Sequence, residues 1–263
     1  MRPVPVLMYH HINPHKGDMV TITPDVFEGQ MRYLKERGYR TLNINELTSY
    51  INGNLELRHK AVVITFDDGW LDNYIYAFPV LKKYKINAAV FIITDRTENA
   101  TGKQEDIPDS VPTHKESGLL AEKKETYKIA LGWKTVKEMS DSGLVGFYSH
   151  TKSHRRCDEL SGTELLKELG GSRNILEQKT GRPCPYLCWP YGKYNNTALD
   201  IAKKTGYKAA FTTGHGVAKR GDDVMAIKRI VVKNSVDWFK KRMLIYTNSV
   251  LSASYLKLKR KRR

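Results

Sequence analysis

Short runs of aliphatic and β-branched residues alternate along this chain with amphipathic stretches, and the two periodicities divide it into strands and helices. Val4 to Tyr9 reads as a first strand. Thr23-Pro24 opens a helix with a capping hydroxyl and a proline at its first position; Val26, Phe27, Met31 and Leu34 keep helical spacing until Gly38 stops it. A second helix, capped by Asn45 and ended by Gly53, puts Leu47, Tyr50 and Ile51 on one face. Ala61 to Phe66 is continuously apolar apart from Thr65, the pattern of a parallel strand covered on both faces. Leu71 to Tyr84 reads as helix with a proline inside, and Ala88 to Ile93 as another buried strand.

Residues 95 to about 132 interrupt this rhythm. They are polar and poor in large apolar side chains, which predicts an inserted loop with one short helix around Glu122 to Ala130. The pattern resumes with helices at Thr135 to Ser142, Gly162 to Lys179 and Thr197 to Thr205. Strands at Val145 to Tyr148, Tyr186 to Trp189, Lys208 to Thr212 and Ala226 to Val232 alternate with them, and a last helix runs from Ser235 to about Tyr246. Strands alternating with helices predict a parallel sheet in an α/β domain, with enough units to close into a barrel. Residues 1–246 form that one domain, and 247–263 are a basic tail.

Composition narrows the class. A chain of 263 residues that is 40% hydrophobic and 27% charged buries a substantial core, as one large domain rather than two small ones. No apolar run approaches the roughly 18 residues that would span a bilayer. Met1-Arg2-Pro3 leads straight into the first strand without a signal-peptide pattern. The expectation is a soluble chain, cytoplasmic or peripheral at the cytoplasmic face of the membrane, and extracellular if a leader was removed. Cys157, Cys184 and Cys188 make neither a disulfide framework nor a zinc-type CxxC pair. The formal charge is +16, and Lys257 to Arg263 supplies six of those charges. Such an end is a solvated tail, or a contact for anionic lipid headgroups. Nucleic acid ranks last, because no binding motif accompanies the charge.

The chemistry concentrates in two stretches. Thr65-Phe66-Asp67-Asp68-Gly69 places two carboxylates where a parallel strand ends, the position at which ligands gather in such sheets. By itself Asp-Asp-Gly is also an ordinary turn that satisfies local backbone donors. Ser149-His150-Thr151-Lys152-Ser153-His154 holds two histidines four apart, on one side of a helical turn or of a loop that begins to coil. Such a pair alone is commonly just polar surface. Together, one carboxylate and two imidazoles supply the three protein ligands of a catalytic metal, leaving the second carboxylate free to act as a base.

With these motifs the chain resembles the polysaccharide deacetylases of carbohydrate esterase family 4, which share the NodB homology domain. Pro5-Val6-Leu7-Met8-Tyr9-His10 and Trp189-Pro190-Tyr191-Gly192 further resemble the poly-N-acetylglucosamine deacetylase branch. The likeness runs from about Pro3 to about Phe239, interrupted by the insertion. It implies an irregular (β/α) barrel, Asp67 as catalytic base, and Asp68, His150 and His154 as ligands of a divalent metal, zinc by default with cobalt or nickel also acceptable. The metal would polarise an acetamide carbonyl and acidify a water, from which Asp67 takes the proton. The Tyr191 amide would serve the oxyanion, and Tyr191, Trp189 and Trp238 would offer an aromatic floor for a sugar, although core packing explains either tryptophan equally well.

The sequence also departs from the family. The arginine that many members carry before the Pro-Tyr-Gly turn is missing from Pro185-Tyr186-Leu187-Cys188-Trp189-Pro190, and Asn234 stands where its carboxylate partner is usual. The expected Leu-x-His segment near the C-terminus is absent, so His215, His10 and His11 are the substitutes for the general acid. The function implied is metal-dependent N-deacetylation of a polysaccharide containing N-acetylglucosamine. The alternatives are an O-acetyl esterase, or a carbohydrate-binding member of the same fold that does not turn over.

Overall fold

The computed structural model describes residues 2–15, 17–103, 108 and 110–261. Its strands are β1 (Val6–Tyr9), β2 (His11–Ile12), β3 (Thr21–Ile22), β4 (Arg40–Thr41), β5 (Ala61–Phe66), β6 (Ala88–Ile92), β7 (Val145–Ser149), β8 (Tyr186–Cys188), β9 (Ala209–His215) and β10 (Ile227–Val231). β5 to β10 pair in parallel in sequence order, and β1 joins β10 to β5, so these seven strands close into a barrel. β4 lies along the start of β5, and β2 and β3 form a small separate pair. Around the barrel run α1 (Pro24–Glu36), α2 (Ile44–Ile51), α3 (Phe78–Tyr84), α4 (Thr94–Ala100), α5 (His114–Glu122), α6 (Trp133–Asp141), α7 (Gly162–Leu165), α8 (Gly171–Thr180), α9 (Asn196–Lys204), α10 (Val236–Tyr246) and α11 (Ser249–Lys261).

The unbroken burial of β5 resolves into two faces. Val62, Ile64 and Phe66 pack outward under the helices with Leu34 and Leu81, whereas Val63 packs in the barrel interior with Phe91, Cys188 and Phe211. Because side chains alternate along a strand, Thr65 and Asp67 continue the inward face of Val63. Leu47 and Ile51 of α2 join the interior cluster together with Val4, Val6 and Ala61 at the strand starts. The barrel is therefore filled and closed at that end, and its polar residues lie at the other.

Several local expectations are corrected. Asn43, not Asn45, caps α2: its Oδ1 accepts from the Glu46 amide at 2.9 Å and the Glu46 carboxylate accepts from the Asn43 amide at 2.9 Å. The Thr23 hydroxyl precedes α1 without capping it, donating instead to Asn234 Oδ1 at 3.2 Å. The stretch expected as a helix from Leu71 contains a π-helical turn, Asn73–Ala77, which runs without a break into α3, with Pro79 just after the junction. The insertion is more helical than its polarity suggested. A Thr113–Glu116 capping box starts α5 upstream of the expected helix, and α5 ends at Glu122, where that helix was to begin. Residues 104–107 and 109 of the insertion lie outside the described residues.

The C-terminal end differs most. Instead of leaving the barrel after residue 246, the chain forms α11, started by the Asn248 side chain, which accepts from the Val250 and Leu251 amides at 3.0 Å. Apolar residues interspersed with the charges dock it on α10. Ser252 is buried, Tyr255 meets Tyr246 edge to face at 5.7 Å, and the Arg242 guanidinium lies 4.5 Å from the Tyr255 ring. Arg262 and Arg263 lie outside the described residues.

Candidate metal centre and catalytic site

At the end of β5, Asp67 points into the barrel, 2% exposed, and meets a partner from β10, the strand on the far side of β1. Both of its oxygens accept from Arg229 of β10, Oδ1 from Nη1 and Oδ2 from Nη2, each at 2.7 Å. Arg229 is itself buried, its guanidinium 5.9 Å from the Phe91 ring, and its remaining N–H groups are used inside the barrel: Nε donates to the Thr212 carbonyl at 2.9 Å, Nη1 to Thr65 Oγ1 at 3.2 Å and Nη2 to Cys188 Sγ at 3.0 Å. Burial pushes the Asp67 carboxyl up, but Arg229 foremost, then His150 and His10, outweigh it and hold Asp67 below the usual carboxylate range. Asp67 is thus an ionised carboxylate with a fixed orientation.

The next residue leaves the strand. Asp68 has φ 73° and Gly69 φ 69°, and a side chain at Gly69 would run into Ile92. This left-handed turn aims Asp68 away from Asp67 and toward the end of β7. The returning insertion clamps it from outside: the Leu131 amide donates to the Gly69 carbonyl at 2.9 Å and the Leu71 amide to the Ile129 carbonyl at 2.7 Å. Asp68 Oδ2 accepts from Trp70 Nε1 at 3.0 Å, while Oδ1 faces the Nε2 atoms of His150 and His154, 3.4 Å from each.

The two histidines are presented by a loop rather than a helical turn, with Thr151 at φ 65° and His154 at φ 64°. Its shape is fixed by the buried Glu168 carboxylate, which accepts from the amides of Lys152 and Ser153 at 3.1 and 2.8 Å. The His150 Nδ1 donates to the Cys188 carbonyl at 2.8 Å, which directs Nε2 at Asp68. Burial opposes charge on His150, but Cys188 and Asp68 facing it win and raise its pKa well above the ordinary value. His154 moves the other way, to about 4, through burial and the neighbouring His150. Asp68 is desolvated, and the imidazoles facing it, His150 first, still hold it well below the carboxylate range.

Asp68 Oδ1 is buried and has no hydrogen-bond partner among the described residues. An orphaned carboxylate oxygen is costly unless something positive answers it. The three candidate ligand atoms lie within 4.8 Å of one another. Ligand atoms about 2.1 Å from a tetrahedral ion stand about 3.4 Å apart, so the donor set fits a small divalent cation. A second trio, Asp67, His150 and Cys188, is equally close. There the Arg229 guanidinium already fills the space beside both Asp67 oxygens and the sulfur, and it excludes a second cation by charge.

The remaining candidates separate. His10 lies at the site, its Nε2 3.8 Å from Asp67 Oδ2; burial lowers its pKa against the pull of Asp67 and Asp68. His11 turns away, buried, with Nδ1 2.6 Å from Asp72 Oδ2 and its ring stacked on Trp70 at 4.4 Å. His215, at the end of β9, meets the Tyr246 hydroxyl at 3.2 Å. Tyr191 is 58% exposed, takes φ 57°, and sets its ring 4.7 Å from that of His154. Gly192 after it has φ 67°, and a Cβ there would overlap the Thr213 hydroxyl and amide. Trp189 is corrected: it is fully buried and stacked on Tyr194 at 4.8 Å, so it offers no face to a substrate. Trp238 is half-buried on α10 and borders a cavity next to the Tyr191 turn.

Arg229 is the residue the sequence reading missed. The arginine absent before the Pro-Tyr-Gly turn is supplied from a different strand, and Cys188 occupies the space beside it. The signal was present, since an arginine in Ala226-Ile227-Lys228-Arg229-Ile230-Val231 shares the inward face of Ile227 and needs a buried anion.

A family model described as polysaccharide deacetylase matches residues 54–210. The chain is 30% identical over 229 residues to YxkH of Bacillus subtilis (strain 168), which is named as a polysaccharide deacetylase; the match covers 87% of this chain and 71% of that protein. It is 27% identical over 235 residues to the poly-beta-1,6-N-acetyl-D-glucosamine N-deacetylase of Staphylococcus aureus (strain MSSA476), covering 86% and 68%. Among solved structures, the Streptococcus pyogenes deacetylase PplD in complex with acetate superposes with a TM-score of 0.76 at 27% identity, covering 92% of this chain and 98% of that one.

Proposed function

As the chain belongs to the polysaccharide deacetylase family of hydrolases, we propose that it removes N-acetyl groups from a polysaccharide containing N-acetylglucosamine, with a divalent metal, zinc by default, held by Asp68, His150 and His154. The observation that carries this reading is the unpartnered Asp68 Oδ1 facing two imidazole nitrogens, with an ionised Asp67 held apart from it by Arg229. When bound, such an ion would polarise the acetyl carbonyl and make water a stronger nucleophile at neutral pH.

The chain's own groups do the rest. Asp67 accepts the proton of the attacking water, and Arg229 keeps it ionised and prevents it from rotating into the ligand set. His10, beside Asp67, is placed to return a proton to the leaving amine. The Tyr191 backbone amide supports the oxyanion, and the exposed Tyr191 ring packs against the acetylated sugar. The name of the Staphylococcus relative favours poly-N-acetylglucosamine among substrates. Acetate release from a panel of N- and O-acetylated glycans, with and without added divalent metal, tests the proposal; release from O-acetyl esters alone would overturn it.

A further inference from the structure

Next to the Tyr191 turn lies a cavity of about 700 Å³, walled by the ends of β9 and β10 on one side and by α10 and α11 on the other. The two adjoin through Thr213 on the cavity wall, which donates its hydroxyl hydrogen to the Tyr191 carbonyl at 3.2 Å. Its volume lies within the range of small-ligand sites. Three aromatic side chains, Trp238, Tyr246 and Tyr255, give it flat faces of the kind on which sugar rings stack. Its charge is unbalanced. Lys233, Arg242 and Lys259 line it against one carboxylate, Asp18, which is engaged by the Thr21 hydroxyl at 2.8 Å and the Val20 amide at 3.1 Å.

Arg242 is the most informative of these. Its guanidinium is held between the rings of Trp238 at 5.9 Å and Tyr255 at 4.5 Å, and among the described residues no carboxylate pairs with it. A guanidinium flanked by rings keeps its in-plane N–H groups available for a planar or tetrahedral anion. Lys259 reaches the same cavity from α11, its Nζ 3.4 Å from His215 Nε2.

Resting on the deacetylase reading but departing from uncharged poly-N-acetylglucosamine as the polymer, we propose that this cavity is a substrate subsite for a sugar carrying negative charge, a phosphate or a carboxylate, and that the polysaccharide is therefore anionic near the acetamide to be cleaved. Arg242 and Lys259 bind the anionic group while Trp238 and Tyr255 pack on the ring that carries it. The docked C-terminal helix is then part of the substrate site.

The test is calorimetric binding to metal-loaded Asp67→Asn protein, with N-acetylglucosamine 6-phosphate, N-acetylglucosamine and inorganic phosphate as probes at low and high salt. The sugar phosphate is expected to bind at least about tenfold more tightly than the neutral sugar, as one charge-assisted contact allows. Arg242→Gln and, as the milder change, Lys259→Gln should each bring that preference toward one, with metal content and circular dichroism checking the fold. Equal affinity for neutral and charged sugar overturns the proposal. So does inorganic phosphate binding as tightly as the sugar phosphate, which would leave a bare anion site. Vesicles containing phosphatidylglycerol form a further arm: if the two variants lose vesicle binding and keep the sugar preference, the basic wall serves lipid. Binding is read without turnover, so a failure to release acetate from neutral oligosaccharides would count against the deacetylase reading and leave these outcomes standing.

Discussion

Arg229 and Asp67, on strands separated only by β1, share two hydrogen bonds of 2.7 Å inside the buried barrel interior. The pair divides the two adjacent aspartates into different chemical roles. Asp67 is neutralised by a permanent cation, and Asp68 is left facing imidazoles with an unanswered oxygen.

Arg229→Met should leave Asp67 as an uncompensated buried charge, costing about 3–5 kcal/mol of stability. The folded Asp67 pKa is lowered, so the stabilisation is fully present above the unfolded value of about 3.9 and is lost as pH falls through the lower folded value. Without Arg229, burial raises the Asp67 pKa in the variant, so the stability gap should narrow as pH falls through that raised value and close further in acid. Denaturant titrations across pH measure it; a gap that did not narrow on acidification would contradict the pairing.

Asp67→Asn should retain metal and lose turnover by roughly 10² to 10⁴-fold, since Asp67 lies outside the ligand trio and supplies only the proton acceptor. Metal analysis and acetate release on one preparation check both halves. Near-normal kcat would mean the proton is taken elsewhere.

Metal loading should release about one proton per ion at pH 7, and Asp68→Ala or His150→Ala should abolish retention and activity together. The number follows from opposite shifts: the raised His150 pKa leaves a proton to displace, whereas His154, lowered to about 4, is already neutral. Affinity should weaken as pH falls. A pH-stat titration with zinc reads the proton count, and equal metal content in wild type and both variants would overturn the ligand assignment.

Gly192→Ala should destabilise the Pro-Tyr-Gly turn by about 1–3 kcal/mol, because the residue has positive φ and a methyl would overlap the Thr213 backbone. KM should rise with the loss of the Tyr191 position. An unchanged melting temperature would show that the turn relaxes freely.

Much of this protein is legible in its sequence because the signals are local. The continuous apolar run of Ala61 to Phe66 sets a parallel strand buried on both faces, and its alternation with amphipathic segments sets a barrel of βα units. Asp67-Asp68 and His150-x-x-x-His154 follow directly from where strands end, so the candidate centre is legible as well. What the linear chain does not hold is nearness between strands far apart in sequence. Arg229 is 162 residues from Asp67 and becomes its partner only because β10 returns to β1 beside β5 when the sheet closes. The choice among three histidines is of the same kind: His10 and His11 are neighbours in sequence, but strand alternation sends one toward Asp67 and the other to Asp72. The C-terminal charges mislead for a related reason. A run of lysines and arginines reads as solvated, yet Tyr255 and Ser252 beneath it find the face of α10, and burial of that face outweighs the tendency of the charges to stay in water.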